Sequence, residues 1–161
     1  MLKINEATKS FAGIVAVDKC SFEIKQGTIT ALIGPNGAGK TTLFNCISRI
    51  LHIDSGQIFY NNHRLDLMPT HKIARLGIGR SFQITRTLDQ LSVTENLVLY
   101  TAGGIGSHLF HQDITTENRL KACEVMEFLG ISTLADVDMG ELSFGQKKLL
   151  DLGAVLMADP D

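Results

Sequence analysis

The chain has 161 residues and carries 15 basic against 17 acidic side chains, a formal net charge of −2. With 44% hydrophobic and 20% charged residues it is long and apolar enough to bury a core without disulfides or metals, which excludes disorder, collagen and coiled coil as descriptions of the whole chain. The near-neutral balance gives no sign of a nucleic-acid or membrane-surface binder. No apolar run approaches the roughly 18 residues of a membrane-spanning helix, and the N-terminus MLKINE lacks the apolar core of a secretion signal. The three cysteines, Cys20, Cys46 and Cys123, form no CxxC pair, so reduced thiols in a cytoplasmic protein are expected.

In chain order, the first third reads as strands. Ser21-Phe22-Glu23-Ile24-Lys25 alternates polar and apolar residues, as a half-buried strand does. After the Gln26-Gly27 turn, residues 28–33 (TITALI) predict a short buried strand bounded by glycines. A glycine-rich loop at 34–39 follows, then a helix from 40 to about 51. Asp54-Ser55-Gly56 predicts a turn, 57–60 a strand, and Asn61-Asn62 another turn. A short helix at 70–76 is closed by Gly77, and 78–82 predicts a further buried strand. Ser92-Val93-Thr94-Glu95 is a capping box that should start a helix to about Tyr100. The stretch from 101 to 112 holds three glycines and predicts an exposed loop. A helix from about 116 to 129 places Ala122, Val125, Met126 and Leu129 on one face, with Gly130 closing it. The last helix, 144 to about 157, repeats that spacing with Leu149, Leu152, Gly153 and Leu156. Early strands and later helices around a strand–loop–helix unit indicate an α/β domain with a helical appendage.

The sharpest chemical signal is Gly34-Pro35-Asn36-Gly37-Ala38-Gly39-Lys40-Thr41, which fits G-x-x-x-x-G-K-[ST] at every fixed position. Glycines let successive N–H groups face one anion, and the helix that follows adds the positive end of its dipole. Lys40 supplies a full charge for β- and γ-phosphates and Thr41 a hydroxyl for Mg²⁺, and the expected nucleotide-binding stretch runs from Gly34 through Thr42. The bland alternative is a glycine-rich turn before Lys-Thr, but a predicted strand before the loop and a predicted helix after it favour nucleotide binding. The loop alone does not choose among kinases, GTPases, helicases and transport ATPases.

Leu142-Ser143-Phe144-Gly145-Gln146 narrows the choice. Here the sequence resembles the ATP-binding subunits of ABC transporters, whose signature is L-S-G-G-Q with variation at its third position. The resemblance implies that Ser143, Gly145 and Gln146 cap the γ-phosphate of ATP held by the partner subunit in a head-to-tail dimer. A plain helix N-cap is the structural alternative for Ser143, and the two roles are compatible. Gly79-Arg80-Ser81-Phe82-Gln83 resembles the family's Q-loop, which implies that Gln83 meets Mg²⁺ and the attacking water. By itself Gln83 reads as a surface glutamine after a strand; its order between the loop at 34 and the signature at 142 is that of the family. The resemblance also places Phe11 where an aromatic stacks on adenine, with a core phenylalanine as the alternative. The run from Gly77 to Gln83, then Leu91-Ser92-Val93-Thr94-Glu95-Asn96-Leu97, is similar to the ATPases of branched-chain amino acid uptake systems and of related amide importers. The five histidines show no ligand spacing, and Arg75, Arg80 and Arg86 read as a solvated face.

The fold so implied is α/β, a P-loop NTPase core of the ABC ATPase type with an N-terminal antiparallel β region and a helical subdomain. Residues 1–88 and about 144–161 would form the nucleotide-binding core, and about 89–143 the helical subdomain. The implied cofactors are ATP and Mg²⁺. The implied partners are a second ATP-binding subunit and transmembrane permease subunits, which would hold the protein on the inner face of the cell membrane; no nucleic acid is implied. Beyond Ala158-Asp159-Pro160-Asp161 the family continues into an apolar Walker B strand ending in aspartate, a glutamate general base and a switch histidine. The expectation is therefore a core incomplete at its C-terminus, whose 161 residues alone bind nucleotide weakly and hydrolyse it negligibly. Loss of a central parallel strand would also expose two strand edges. Two rival readings stand beside the importer: a non-transport ABC ATPase, and a nucleotide-binding regulatory module. A reading frame continuing as an apolar run followed by Asp-Glu would disfavour the last.

Overall fold

The structure, a computed structural model, describes residues 1–81, 88–101 and 115–160. It divides into two compact units, Met1–Arg75 and Leu76–Asp161.

The first unit is built on a four-stranded antiparallel sheet of order β2-β1-β3-β4. β1 (Leu2–Phe11) and β2 (Ile14–Ile24) form a hairpin whose ends pair Phe11 with Ile14 and Leu2 with Ile24. The turn residues Ala12 (φ 42°) and Gly13 (φ 88°) both lie in the left-handed region, the geometry that suits the twist of a tight hairpin. β3 (Ser55–Tyr60) pairs with the other edge of β1, and the two-residue β4 (His63–Arg64) closes the sheet after a turn at Asn61. The alternation seen at 21–25 is present, with Cys20, Phe22 and Ile24 on the more covered face of β2. The turn expected at 54–56 is shorter than that, because Ser55 and Gly56 already belong to β3. A bulge explains the glycine: Glu6 takes φ 46°, and a Cβ on Gly56 (φ 92°) would lie 2.4 Å from the Glu6 carbonyl oxygen.

α1 (Lys40–Ile47) and α2 (Thr70–Arg75) complete this unit, together with a 3₁₀ turn at Leu65–Leu67. Its core holds Ile4, Ala7, Val17, Leu43, Cys46, Ile58, Leu65 and Ile73. α1 stops at Ile47, short of the expected 51, because the left-handed Arg49 (φ 59°) turns the chain and Leu51 N–H caps the Asn45 carbonyl at 3.0 Å.

Two expected strands are corrected. Residues 28–33 form no ladder and every one of them is exposed, Ile29 at 104% and Ile33 at 89%. β propensity alone does not make a strand, because its hydrogen bonds come from a neighbour. Among the described residues none pairs with this segment. Residues 78–81 are likewise irregular, and Phe82, the end of that expected strand, lies outside the described residues.

The second unit is helical. α3 (Val93–Val98), α4 (Thr116–Phe128) and α5 (Phe144–Met157) pack around Val93, Leu97, Val98, Ala122, Val125, Met126, Met139, Leu150 and Met157. The capping box at Ser92 is present in full, since Ser92 N donates to Glu95 Oε2 at 2.9 Å and Glu95 N to Ser92 Oγ at 3.3 Å. Those bonds to Ser92 hold the Glu95 carboxyl below its ordinary pKa. The expected buried face of α4 is borne out at Ala122, Val125 and Met126. That of α5 is rotated: Leu150, Gly153 and Met157 are buried, whereas Leu149 and Leu152 are 40% and 45% exposed. Gly153 sets the rotation, because a Cβ there would lie 3.0 Å from Leu97 and 3.1 Å from Leu129.

Asn96 is the buried polar brace of this unit. At 4% exposure it donates to the carbonyls of Leu88, Leu91 and Ser92 and accepts from Leu88 N–H, at 3.0–3.1 Å. Replacing it by leucine takes the acceptor from the Leu88 N–H, and a buried donor left unpaired costs about 1–3 kcal/mol; the three carbonyls keep the N–H groups of Leu91, Met139 and Asn96. Asn96→Leu is expected to lower the urea midpoint clearly, and a midpoint equal to wild type would contradict the assignment.

Candidate functional site

The glycine-rich loop opens α1, and its geometry follows from its residues. Gly37 and Gly39 take φ 84° and 82°, a region other residues enter at a cost. Gly39 is the N-cap of α1 and gives no side-chain hydrogen bond to the helix start, and no acidic residue stands in the first turn. The first N–H groups of α1 therefore have no side-chain acceptor of the usual kind, and the positive end of the helix dipole is uncompensated. Residues 34–38 and Thr41 are exposed, whereas Gly39, Lys40 and Thr42 are half-buried.

Lys40 lies across the loop. Its Nζ donates to the carbonyls of Gly34 and Pro35, each at 2.6 Å, which engages two of an ammonium's three donors. Ala38 N–H donates to Pro35 O at 3.3 Å and tightens the turn. The loop thus presents a cation, backbone amides and a threonine hydroxyl in one stretch, which suits a polyphosphate and a hard cation such as Mg²⁺. Thr41 and Asn36 have room to turn toward such a ligand because both are exposed.

The loop is pinned to the sheet. A Cβ on Gly39 would lie 2.0 Å from the Ala16 carbonyl oxygen of β2, so only glycine fits. Ala16 is two residues from Ile14, the partner of Phe11 across the hairpin, or about 7 Å along the strand. Phe11 is 43% exposed, so it is not a core phenylalanine, and Lys9 Nζ lies 5.5 Å from its ring centroid. Sequence reasoning missed the side chains around this ring. Asp54 Oδ1 accepts from Lys9 Nζ at 2.7 Å and Oδ2 from Ser10 N–H at 2.6 Å. No local pattern signals a contact that spans 44 residues; the DSG triplet reads only as a turn. The Lys9 ammonium and the Ser10 N–H hold the Asp54 carboxyl below its ordinary value of 3.8.

In the second unit Ser143 caps α5. Its N–H and Oγ both lie 2.8 Å from Gln146 Oε1, and Gln146 N–H donates to Ser143 Oγ at 3.4 Å. Ser143, Phe144 and Gly145 are exposed, and nothing lies within 4 Å of where a Gly145 Cβ would stand. The glycine is thus not needed for packing within this unit. Gln83, with Phe82 and Arg86, lies outside the described residues, as does 102–112 of the expected loop. Among the described residues no group of three metal-ligating side chains gathers, and no helix is long and apolar enough to cross a membrane.

An antiparallel sheet carrying an uncapped helix behind a glycine loop, followed by a helical unit, defines a P-loop cassette of the α/β class. The profile of the ABC transporter family matches residues 17–161. The chain is 36% identical to a probable branched-chain amino acid transport ATP-binding protein of Archaeoglobus fulgidus, over 99% of this chain and 64% of that protein. It is 34% identical to a protein of the same description from Methanocaldococcus jannaschii, over 99% of this chain and 65% of that one. Among solved structures it is similar to a nucleotide-free ATP-binding cassette from an ABC transporter, with a TM-score of 0.86 and 33% identity, covering 99% of this chain and 66% of that one. An ATP-binding cassette in its ADP conformation gives a TM-score of 0.86 at 34% identity, covering 99% of this chain and 65% of that chain. This chain belongs to the ABC transporter family, and it spans just under two-thirds of the length of these relatives.

The lowered pKa of Asp54 has a defined consequence for stability. A depressed folded-state value contributes stability in full above the ordinary 3.8, and that contribution is lost as pH falls through the folded value. Asp54→Asn is expected to lower the thermal midpoint at pH 7 while narrowing its difference from wild type at pH 2.5. Equal differences at both pH values would contradict the ion pair.

Proposed function

We propose that this chain is the ATP-binding part of a transport ATPase that energises uptake of branched-chain or related amino acids through membrane permease subunits. The observation that carries the reading is the uncapped start of α1 behind Gly37 and Gly39, with Lys40 held across it. The names of the relatives supply the substrate class. Phe11 supports the same reading, because it stands exposed on the strand pair against which the loop docks.

In this reading the N–H groups of Gly34 and of Asn36 to Gly39, with the start of α1, receive the β- and γ-phosphates, and Pro35 shapes the loop without a donor. Lys40 leaves the carbonyls of Gly34 and Pro35 and turns its charge to the phosphates, which offer stronger acceptors than neutral carbonyls. Thr41 and Gln83 would hold Mg²⁺, and Thr42 would contribute to the same nucleotide-binding stretch. Mg²⁺, when bound, neutralises charge developing on the phosphates. Phe11 stacks on the adenine. Ser143, Gly145 and Gln146 approach ATP held by a second ATP-binding subunit in a head-to-tail dimer, a role suited to the open space at Gly145 and the helix N-terminus there. Residues 1–88 and about 144–161 then serve as nucleotide-binding core, and about 89–143 as helical subdomain. Permease subunits hold the protein at the inner face of the membrane, and dimer closure and hydrolysis drive them.

The test is Lys40→Ala in the intact protein. Removing the charge should weaken ATP binding at least tenfold and abolish ATP-driven amino acid uptake into vesicles, with the fold unchanged by circular dichroism. Uptake at the wild-type rate would overturn the assignment of the phosphate loop.

A further inference from the structure

We propose that Lys9 and Asp54 are positioning residues for Phe11: their ion pair fixes the ring as a platform for a purine base and so sets the share of nucleotide affinity that comes from the base. The proposal rests on the reading of Phe11 as the adenine-stacking residue.

β1 stays paired with β3 only as far as Thr8, opposite Ser55, and Asp54 N–H closes that end by donating to Thr8 O at 2.8 Å. Beyond it, Ser10 has no residue of β3 opposite. The Asp54 carboxylate takes the place of the missing strand residue. One oxygen accepts from Ser10 N–H at 2.6 Å, and the other holds the Lys9 ammonium at 2.7 Å. A single carboxylate therefore fixes both the backbone next to Phe11 and the cation beside its ring.

The cation is well placed to act on the ring. The Lys9 side chain is only 15% exposed, so its charge is shielded from water, and its Nζ lies 5.5 Å from the ring centroid, inside the roughly 6 Å range of a cation–π contact. Phe11 ends its strand and is 43% exposed, so part of its ring stands clear of the protein. A ring free to change rotamer offers a base a poorer surface, because ordering it on binding costs entropy. The ion pair removes that cost before the base arrives. Its effect must then appear in ligands that carry a base and be absent from ligands that carry only phosphates.

The test compares binding of ATP and of inorganic tripolyphosphate to the intact protein by calorimetry. Lys9→Met, which keeps the aliphatic stem, and Asp54→Asn are each expected to weaken ATP binding three- to tenfold and to change tripolyphosphate binding less than twofold. Lys9→Arg should restore ATP binding. In a Phe11→Ala background Lys9→Met should add no further loss, as expected for residues acting through one ring. Equal losses for both ligands would show a structural role only and overturn the proposal. ATP binding unchanged in Lys9→Met, with Phe11→Ala still losing base preference, would overturn the proposal and leave the stacking reading standing. An unchanged preference in Phe11→Ala itself would overturn both.

Discussion

The end of the glycine-rich loop rests on the backbone of β2 so closely that residue 39 can carry no side chain. Much of the first unit's geometry depends on that contact. It brings the loop against the hairpin, and it requires the positive φ that only glycine adopts readily. A glycine N-cap in turn leaves the start of α1 without the side-chain oxygen that helices usually recruit. The same constraint that packs the loop therefore leaves unsatisfied the donors that an anion can use. Fold and proposed function share one cause here.

The hairpin transmits this placement to its tip. β2 carries the loop at Ala16 and faces Phe11 through Ile14, so the exposed ring and the loop are held in one strand pair. Asp54 closes the gap where β1 leaves β3, using a side chain where a strand residue is missing. The bulge at Glu6 and the glycine at 56 are part of the same arrangement, since they bend β3 against β1 just before that point. In the second unit a different constraint rules. Gly153 permits close approach of Leu97 and Leu129, and Asn96 ties the segment from Leu88 to Ser92 by four hydrogen bonds.

What was legible in the sequence was local. The capping box at Ser92, the N-cap at Ser143, the glycine closures after α2 and α4, and the loop itself depend on residues within a few positions of each other. The family resemblance, read from the loop and the LSFGQ segment, is borne out by the profile match and by the similar solved structures. What was not legible depends on distant chain. Residues 28–33 have a strand's composition but no neighbour among the described residues to complete it. The buried face of α5 is set by side chains of α3 and by Leu129 beyond α4, so its own periodicity pointed one residue off at Leu149. The Lys9–Asp54 pair joins positions 45 residues apart, which no spacing rule anticipates.

The central claim is that the glycine geometry of the loop makes the start of α1 an anion cradle. Amide chemical shifts during titration of the isotopically labelled intact protein with tripolyphosphate test it directly. The account predicts saturable shifts at Gly37, Gly39, Lys40 and Thr41, with the amides around Ser143 unmoved in the monomer. Unmoved loop amides, with shifts confined to surface lysines elsewhere, would contradict it.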